Sequence, residues 1–61
     1  MRDRIIDTAE AAALLSVAPG TLRTWRHLGM GPKSFKLGAR IVRYREEDVL
    51  AWIQNQYGQH D

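Results

Sequence analysis

The residues best suited to chemistry form one face of a short helix predicted in the middle of the chain. At about 100° per residue, this face collects a guanidinium, a hydroxyl, an imidazole and a glycine, and its flanks add a second hydroxyl and a second guanidinium. The six residues are Gly20, Thr21, Arg23, Thr24, Arg26 and His27. Arginine can bind a guanine edge through two hydrogen bonds, and threonine or histidine can contact bases or phosphates. The pattern predicts a helix that enters a groove of DNA, and the alternative is an ordinary solvated face.

The other side of the same helix is apolar. Leu22 and Trp25 lie about 60° apart on it and predict the buried face. Trp25 stands three residues after Leu22, and Trp52 lies beside Ile53 among the apolar residues of the last predicted helix. We therefore interpret both indoles as core residues, and the alternative is that they stack on bases.

Basic residues are concentrated in the same part of the chain. The 9 Lys and Arg against 7 Asp and Glu give a formal net charge of +2, but residues 17–45 contain no acid. The seven basic residues of this stretch are Arg23, Arg26, Lys33, Lys36, Arg40, Arg43 and Arg45. Such a block in a small domain indicates a polyanionic partner, although charge alone is equally consistent with a solvated surface.

The first helix should begin after Asp7. Asp7 and Glu10 have the spacing of a capping box, in which each side chain accepts a hydrogen bond from the other residue's backbone N–H. The alanine-rich stretch that follows favours a helix. Ala12 and Leu15 should face inward, with Leu14 partly so.

A second helix should follow after a short connection at residues 16–18. Pro19 suits the first turn of a helix, because an N–H group at that position would have no intrahelical acceptor and its absence costs nothing. Gly29 suits the C-terminal cap. Residues 7–28 thus have the length and layout of a helix-turn-helix.

A two-stranded hairpin is predicted next, over residues 35–44. Alternating and β-branched residues form its strands, and residues 38–40 form its turn. An isolated hairpin is marginally stable, so it should pack on the helices. The inward residues are predicted to be Leu37, Val42 and Tyr44, whereas Ile41 does not fit the same face.

The hairpin carries a second basic surface. Lys33, Lys36, Arg40 and Arg43 should point away from the inward residues, with Arg40 at the turn. A basic turn beside a groove-bound helix can reach neighbouring phosphates or the minor groove. The alternative is a charged hairpin tip that keeps the protein soluble.

The chain should finish in a third helix. The acidic run of residues 46–48 falls in its first turn, where the helix dipole stabilises negative charge, so neither a metal nor a catalytic role is needed to explain it. Apolar residues recur at steps of three and four and predict a core-facing stripe. They are Val49, Leu50, Trp52, Ile53 and Tyr57.

Composition argues against several classes of protein. The chain has no cysteine, hence no disulfide and no thiolate site, and its histidines are His27 and His60 alone, so we expect no zinc and no cofactor. At 61 residues an enzyme is not expected. Without a signal peptide or an apolar run of about 20 residues, a soluble cytoplasmic protein with no membrane partner is expected.

The order of residues resembles a known family. Residues 7–26 resemble the MerR-type winged helix-turn-helix, most specifically in Thr21-Leu22-Arg23 with Trp25. The stretch from Tyr44 to Trp52 is similar to its minimal branch, which contains phage and plasmid excisionases and AlpA-type regulators. The resemblance covers roughly residues 5–54.

The resemblance implies a small α+β fold, a winged helix-turn-helix with a two-stranded β-hairpin wing and a C-terminal helix. Residues 1–61 would be a single DNA-binding domain with an ordered core at about 5–57. Residues 19–27 would be the recognition helix, with Arg23, Thr24 and His27 facing the major groove. Residues 33–44 would be the wing, with Lys36 and Arg40 toward the backbone or minor groove. Ala18 and Gly20 depart from the family pattern, which removes one phosphate contact and one base contact.

The resemblance also implies a role. Excisionases bind repeated sites on double-stranded DNA side by side, bend it and help an integrase to excise. A small-molecule effector would need the effector domain that full MerR regulators carry after their dimerising helix. The resemblance does not include that domain, so no small-molecule effector is expected for this chain. One alternative is an AlpA-like transcriptional regulator at a promoter, and another is a basic module that binds an acidic protein.

Overall fold

The helices and strands follow in the predicted order, with one strand added at the start. A computed structural model describes residues 4–59. The elements are β1 (Ile5–Ile6), α1 (Thr8–Leu15), α2 (Pro19–His27), β2 (Ser34–Leu37), β3 (Ile41–Arg45) and α3 (Glu46–Gly58). They form a small α+β winged helix-turn-helix, as predicted. His60 and both ends of the predicted 1–61 domain lie outside the described residues.

The ends of the first two helices confirm the predicted capping. The Glu10 backbone N–H donates to Asp7 Oδ1 at 2.8 Å, and the Asp7 N–H donates to Glu10 Oε1 at 3.4 Å. Ser16 adopts a left-handed conformation with φ 60°, which turns the chain out of α1. Pro19 then begins α2, and Ala18 supplies no side-chain cap.

The predicted hairpin is part of a three-stranded antiparallel sheet in the order β1-β3-β2. In β1, Ile5 pairs with Arg45 and Ile6 with Tyr44. The Glu46 N–H also donates to the Arg4 carbonyl oxygen at 2.7 Å. No sequence pattern predicts β1, because two residues are too few to show a period.

Two predictions about the faces of the hairpin are wrong. Leu37 pairs with Ile41, and Lys36 pairs with Val42. Cross-strand partners share a face of a sheet, so Leu37 lies on the face opposite Val42 and Tyr44 and is 44% exposed. Lys36 lies on the face of Val42 rather than away from it, and it stays exposed near the end of the strand.

The core lies where the sheet meets the three helices. Its buried side chains are Ile6, Ala11, Ala12, Leu22, Tyr44 and Val49, and Leu15, Val17, Trp25, Val42 and Ile53 pack against them. The inward orientation of Ala12, Leu15, Val42 and Tyr44 is thereby confirmed.

The predicted stripe of α3 is too wide and too long. Val49 is fully buried, and Ile53, one turn on, packs against the core. Leu50 is 45% exposed because it lies about 100° around the helix from Val49. Tyr57 is 72% exposed, because the stripe continues past the core of this small domain. Within residues 4–59, no helix has the length and apolar character needed to cross a membrane.

Candidate nucleic-acid interface

Helix α2 presents the predicted polar face to solvent. Leu22 is 1% exposed and Trp25 is half-buried, which fixes the inner side of the helix. The exposed side holds Gly20, Thr21, Arg23, Thr24 and His27. The Thr24 hydroxyl donates to the Gly20 carbonyl oxygen at 3.1 Å, so its oxygen remains available as an acceptor.

An open cleft of about 480 Å³ separates this helix from the wing, and four arginines line it. Its lining consists of Asp7, Thr8, Ala9, Arg23, Arg26, Arg40, Ile41, Val42 and Arg43. Asp7 is the single carboxylate among these residues, and it accepts the Glu10 N–H of its own helix cap. The cleft is therefore strongly positive.

The short β1 strand explains why the cleft exists. It pairs with β3 only at Tyr44 and Arg45, so residues 41–43 keep an uncovered edge. The chain then turns away into the first turn of α1, which forms the opposite wall. The Arg43 guanidinium donates to the Val42 carbonyl oxygen at 2.8 Å, which holds this side chain along the open edge.

The first turn of α1 offers backbone N–H donors to the cleft. The N–H groups of Thr8 and Ala9 lie at the helix N-terminus, where no intrahelical acceptor is available. The positive end of the helix dipole is at the same place, where the Asp7 and Glu10 carboxylates compensate it. Together with the four guanidinium groups, these N–H groups suit the wall of the cleft to contact with a sugar-phosphate backbone.

Arg26 connects the cleft to the core. Its Nε and the Tyr44 hydroxyl are both buried, and neither has a hydrogen-bond partner within the described part of the chain. Burial raises the pKa of the Tyr44 hydroxyl, and the nearby Arg26 guanidinium partly offsets that rise. Arg26 is half-buried, unlike the exposed Arg23 and Arg40.

We predict that Tyr44→Phe weakens the loss of stability at alkaline pH. The pKa of Tyr44 in the folded protein lies above its ordinary value of 10.0. The contribution of Tyr44 to the free energy of unfolding is therefore fully present below about pH 10. This contribution is lost as the pH rises through the raised pKa, because the unfolded chain releases the proton more readily than the folded protein. The measurement is urea unfolding of both proteins at about pH 7 and at about pH 11. At neutral pH the free energy of unfolding of the variant should differ from that of the wild type by at most about 1 kcal/mol.

Tyr57→Phe is the matched control, because that ring is 72% exposed. This variant should lose as much stability at alkaline pH as the wild type does. An equal alkaline loss in Tyr44→Phe and wild type would show that ionisation of Tyr44 does not govern it.

The structure brings some of the predicted site residues together and separates others. Arg23, Arg26, Arg40 and Arg43 meet at the cleft. Lys33 instead lines a groove along α3, with Asp48 and Trp52 among its neighbours. Lys36 is exposed on the wing outside the cleft lining. The contact of each residue with DNA stays a prediction.

Sequence reasoning missed the α1 wall of the cleft. Thr8 and Ala9 were assigned no role beyond helix formation, because β1, which places them opposite the wing, left no readable pattern. The interpretation of Trp25 as a core residue is confirmed, because it packs against the buried cluster. Trp52 is half-buried and contacts Trp25, with ring centroids 5.6 Å apart at 42°, but it lines an open groove along α3. Among residues 4–59, no three His, Cys, Asp or Glu side chains are grouped so that they could hold a metal ion.

Comparison with known proteins supports a helix-turn-helix that binds DNA. The sequence profile of a family described as "Helix-turn-helix domain" matches residues 5–57, nearly the whole chain. No curated protein and no solved structure matches the chain significantly. The match supports sequence-specific binding to double-stranded DNA, which is consistent with the exposed face of α2 and the arginine cleft beside it. The chain belongs to the helix-turn-helix domain family.

Proposed function

We propose that the protein is an architectural DNA-binding protein of the excisionase type, which acts by binding rather than by catalysis. It binds repeated sites, bends the DNA and assists an integrase in excision. The observation that carries the proposal is the arginine cleft, because it joins the exposed face of α2 to the wing in one basic surface.

In this proposal α2 lies in the major groove. Arg23 contacts base edges, with Thr24 and His27 beside it, while the backbone of one strand passes through the cleft. Arg26, Arg40 and Arg43 contact its phosphates. A helix in one groove and a wing in the next draw phosphates together and favour a bend.

Several copies act together in this proposal. A single module of this size buries about 1,000 Å² or less on DNA and binds modestly by itself. Adjacent copies on repeated sites would supply the missing affinity, and the integrase would then assemble on the bent DNA.

The test begins with selection of duplexes from a random pool by the intact protein, followed by footprinting on the DNA around its own gene. Clustered protected repeats near a recombination site support the excisionase role. A single footprint at a promoter would instead indicate an AlpA-like regulator. Failure to enrich any sequence would favour a basic module that binds an acidic protein.

We predict that Arg40→Ala weakens binding to all sequences alike. Arg40 is exposed at the wing turn and lines the cleft, so its loss should remove a phosphate contact. The slope of log affinity against log salt should fall by about one unit. The measurement is a fluorescence-anisotropy titration on selected and scrambled duplexes over a range of salt.

Arg4→Ala is the matched control for the change in charge. Arg4 lies outside the cleft and pairs with Glu10 at 3.2 Å and Glu46 at 3.5 Å. It should leave the salt slope close to the wild-type value. An unchanged slope in Arg40→Ala would remove this residue from the interface.

A further inference from the structure

The tip of the wing, residues 37–41, carries two exposed apolar side chains. Leu37 and Ile41 pair across the hairpin on one face of the sheet, and they are 44% and 49% exposed. They flank the turn on both sides, so an aliphatic pair lies directly beneath a turn that carries Arg40. Burial within this chain therefore does not account for them.

The surroundings of the wing tip are basic. Ile41 lines the cleft together with Arg23 and Arg40, and residues 17–45 contain no acid. A ligand that covers this surface must combine negative charge outside with an apolar interior. The minor groove of DNA has this character once a base step opens, because phosphates form its rims and the apolar faces of the two bases become accessible between them.

The turn of the wing carries little bulk at Gly38 and Ala39. Gly38 adopts φ +66°, and a Cβ built there would meet nothing within 4 Å. The space around Gly38 is therefore open within residues 4–59, and the other side chains of the turn are the methyl of Ala39 and the long side chain of Arg40.

We propose that Leu37 and Ile41 form an apolar wedge that enters the minor groove and partly unstacks one base step. Inserted aliphatic side chains kink duplexes toward the major groove, and the basic residues beside them hold the adjacent backbone. The wedge then adds a local kink to the bend that the phosphate contacts favour. This inference rests on the proposed DNA-binding function. It adds two uncharged residues, Leu37 and Ile41, to the surface that contacts DNA.

The experiment uses the full chain and a duplex selected by it. Donor and acceptor dyes at the duplex ends report the bend, and a fluorescent base analogue placed at successive steps reports unstacking. In the variant Leu37→Ser with Ile41→Ser, we expect the unstacking signal to fall to that of free DNA and the bend to become smaller than with the wild type. Affinity should change by less than about tenfold, because the lost insertion and the saved deformation energy oppose each other.

Two further variants separate the wedge from a general loss of apolar surface. Leu37→Met with Ile41→Met should retain the bend, because methionine keeps an insertable side chain. Leu50→Ser removes a leucine of similar exposure, 45%, from α3 and should also retain it. Thermal melting of each variant confirms that it is folded before the DNA signals are compared.

The outcomes distinguish this inference from the function on which it rests. If the wild type enriches no sequence, both fail. If the wild type binds its selected site and the serine variant bends it equally, the wedge alone is refuted. If the serine variant keeps the bend and loses only the binding of a second copy, the wing tip is a protein contact and the wedge is likewise refuted.

Discussion

We expect Trp25→Ala to lower the free energy of unfolding by about 3 kcal/mol, the lower end of the range for such truncations because the ring is half-buried. A domain of this size has a total stability of only about 3–9 kcal/mol. The indole packs against the core and stacks on Trp52 at a centroid distance of 5.6 Å. The indole also packs closely on Gly31, since a Cβ built on that glycine would lie 3.3 Å from Trp25 Cε3. Removal of the ring would therefore expose Gly31 as well.

The measurement is urea unfolding followed by circular dichroism, since fluorescence changes when an indole is removed. Trp52→Ala is the matched control, because it deletes the same ring-to-ring contact from a residue that lines an open groove. It should be less destabilising than Trp25→Ala. Unchanged cooperative unfolding of Trp25→Ala would mean that the inner face of α2 has been assigned to the wrong residues.

The helices could be predicted because their ends carry strong local signals. Asp7 with Glu10, Pro19, and Gly29 each act through the backbone of their own neighbours, and none of them depends on tertiary contacts. The buried face of α2 followed from the spacing of Leu22 and Trp25. Its exposed face, and hence most of the candidate interface, was fixed by the same two residues.

The faces of the hairpin could not be predicted with the same certainty. Phe35 and Leu37 alternate on one strand, whereas Ile41 and Val42 are adjacent on the other, so both faces of the sheet contain apolar residues. The hydrophobic pattern alone then does not fix which face is buried. Register settles it, by pairing Leu37 with Ile41 away from the core.

The cleft itself depends on contacts distant in sequence. Its α1 wall stands opposite the wing because β1 pairs with the end of β3, and no local pattern encodes that pairing. The charge of the cleft was nevertheless visible in the sequence, as the acid-free stretch of residues 17–45. The sequence thus showed where the positive charge is concentrated, and topology decided which arginines meet.

Arg23→Ala is expected to weaken binding to the selected duplex by about 1–3 kcal/mol and to relax the preference at one base pair. Arg23 is exposed on α2 and also lines the cleft, so it stands where the recognition helix and the DNA backbone would meet. The measurement compares affinity for the selected duplex, for all single base-pair variants of it, and for scrambled DNA.

Arg23→Lys separates charge from base reading. Lysine keeps the positive charge but cannot form the planar pair of hydrogen bonds that arginine makes with guanine. We expect this variant to bind scrambled DNA as the wild type does and to lose most of the discrimination at the same base pair. Equal losses on selected and scrambled DNA in both variants would assign Arg23 to a phosphate and leave base recognition to Thr24 and His27. The lysine variant therefore decides whether the exposed face of α2 reads sequence through its arginine.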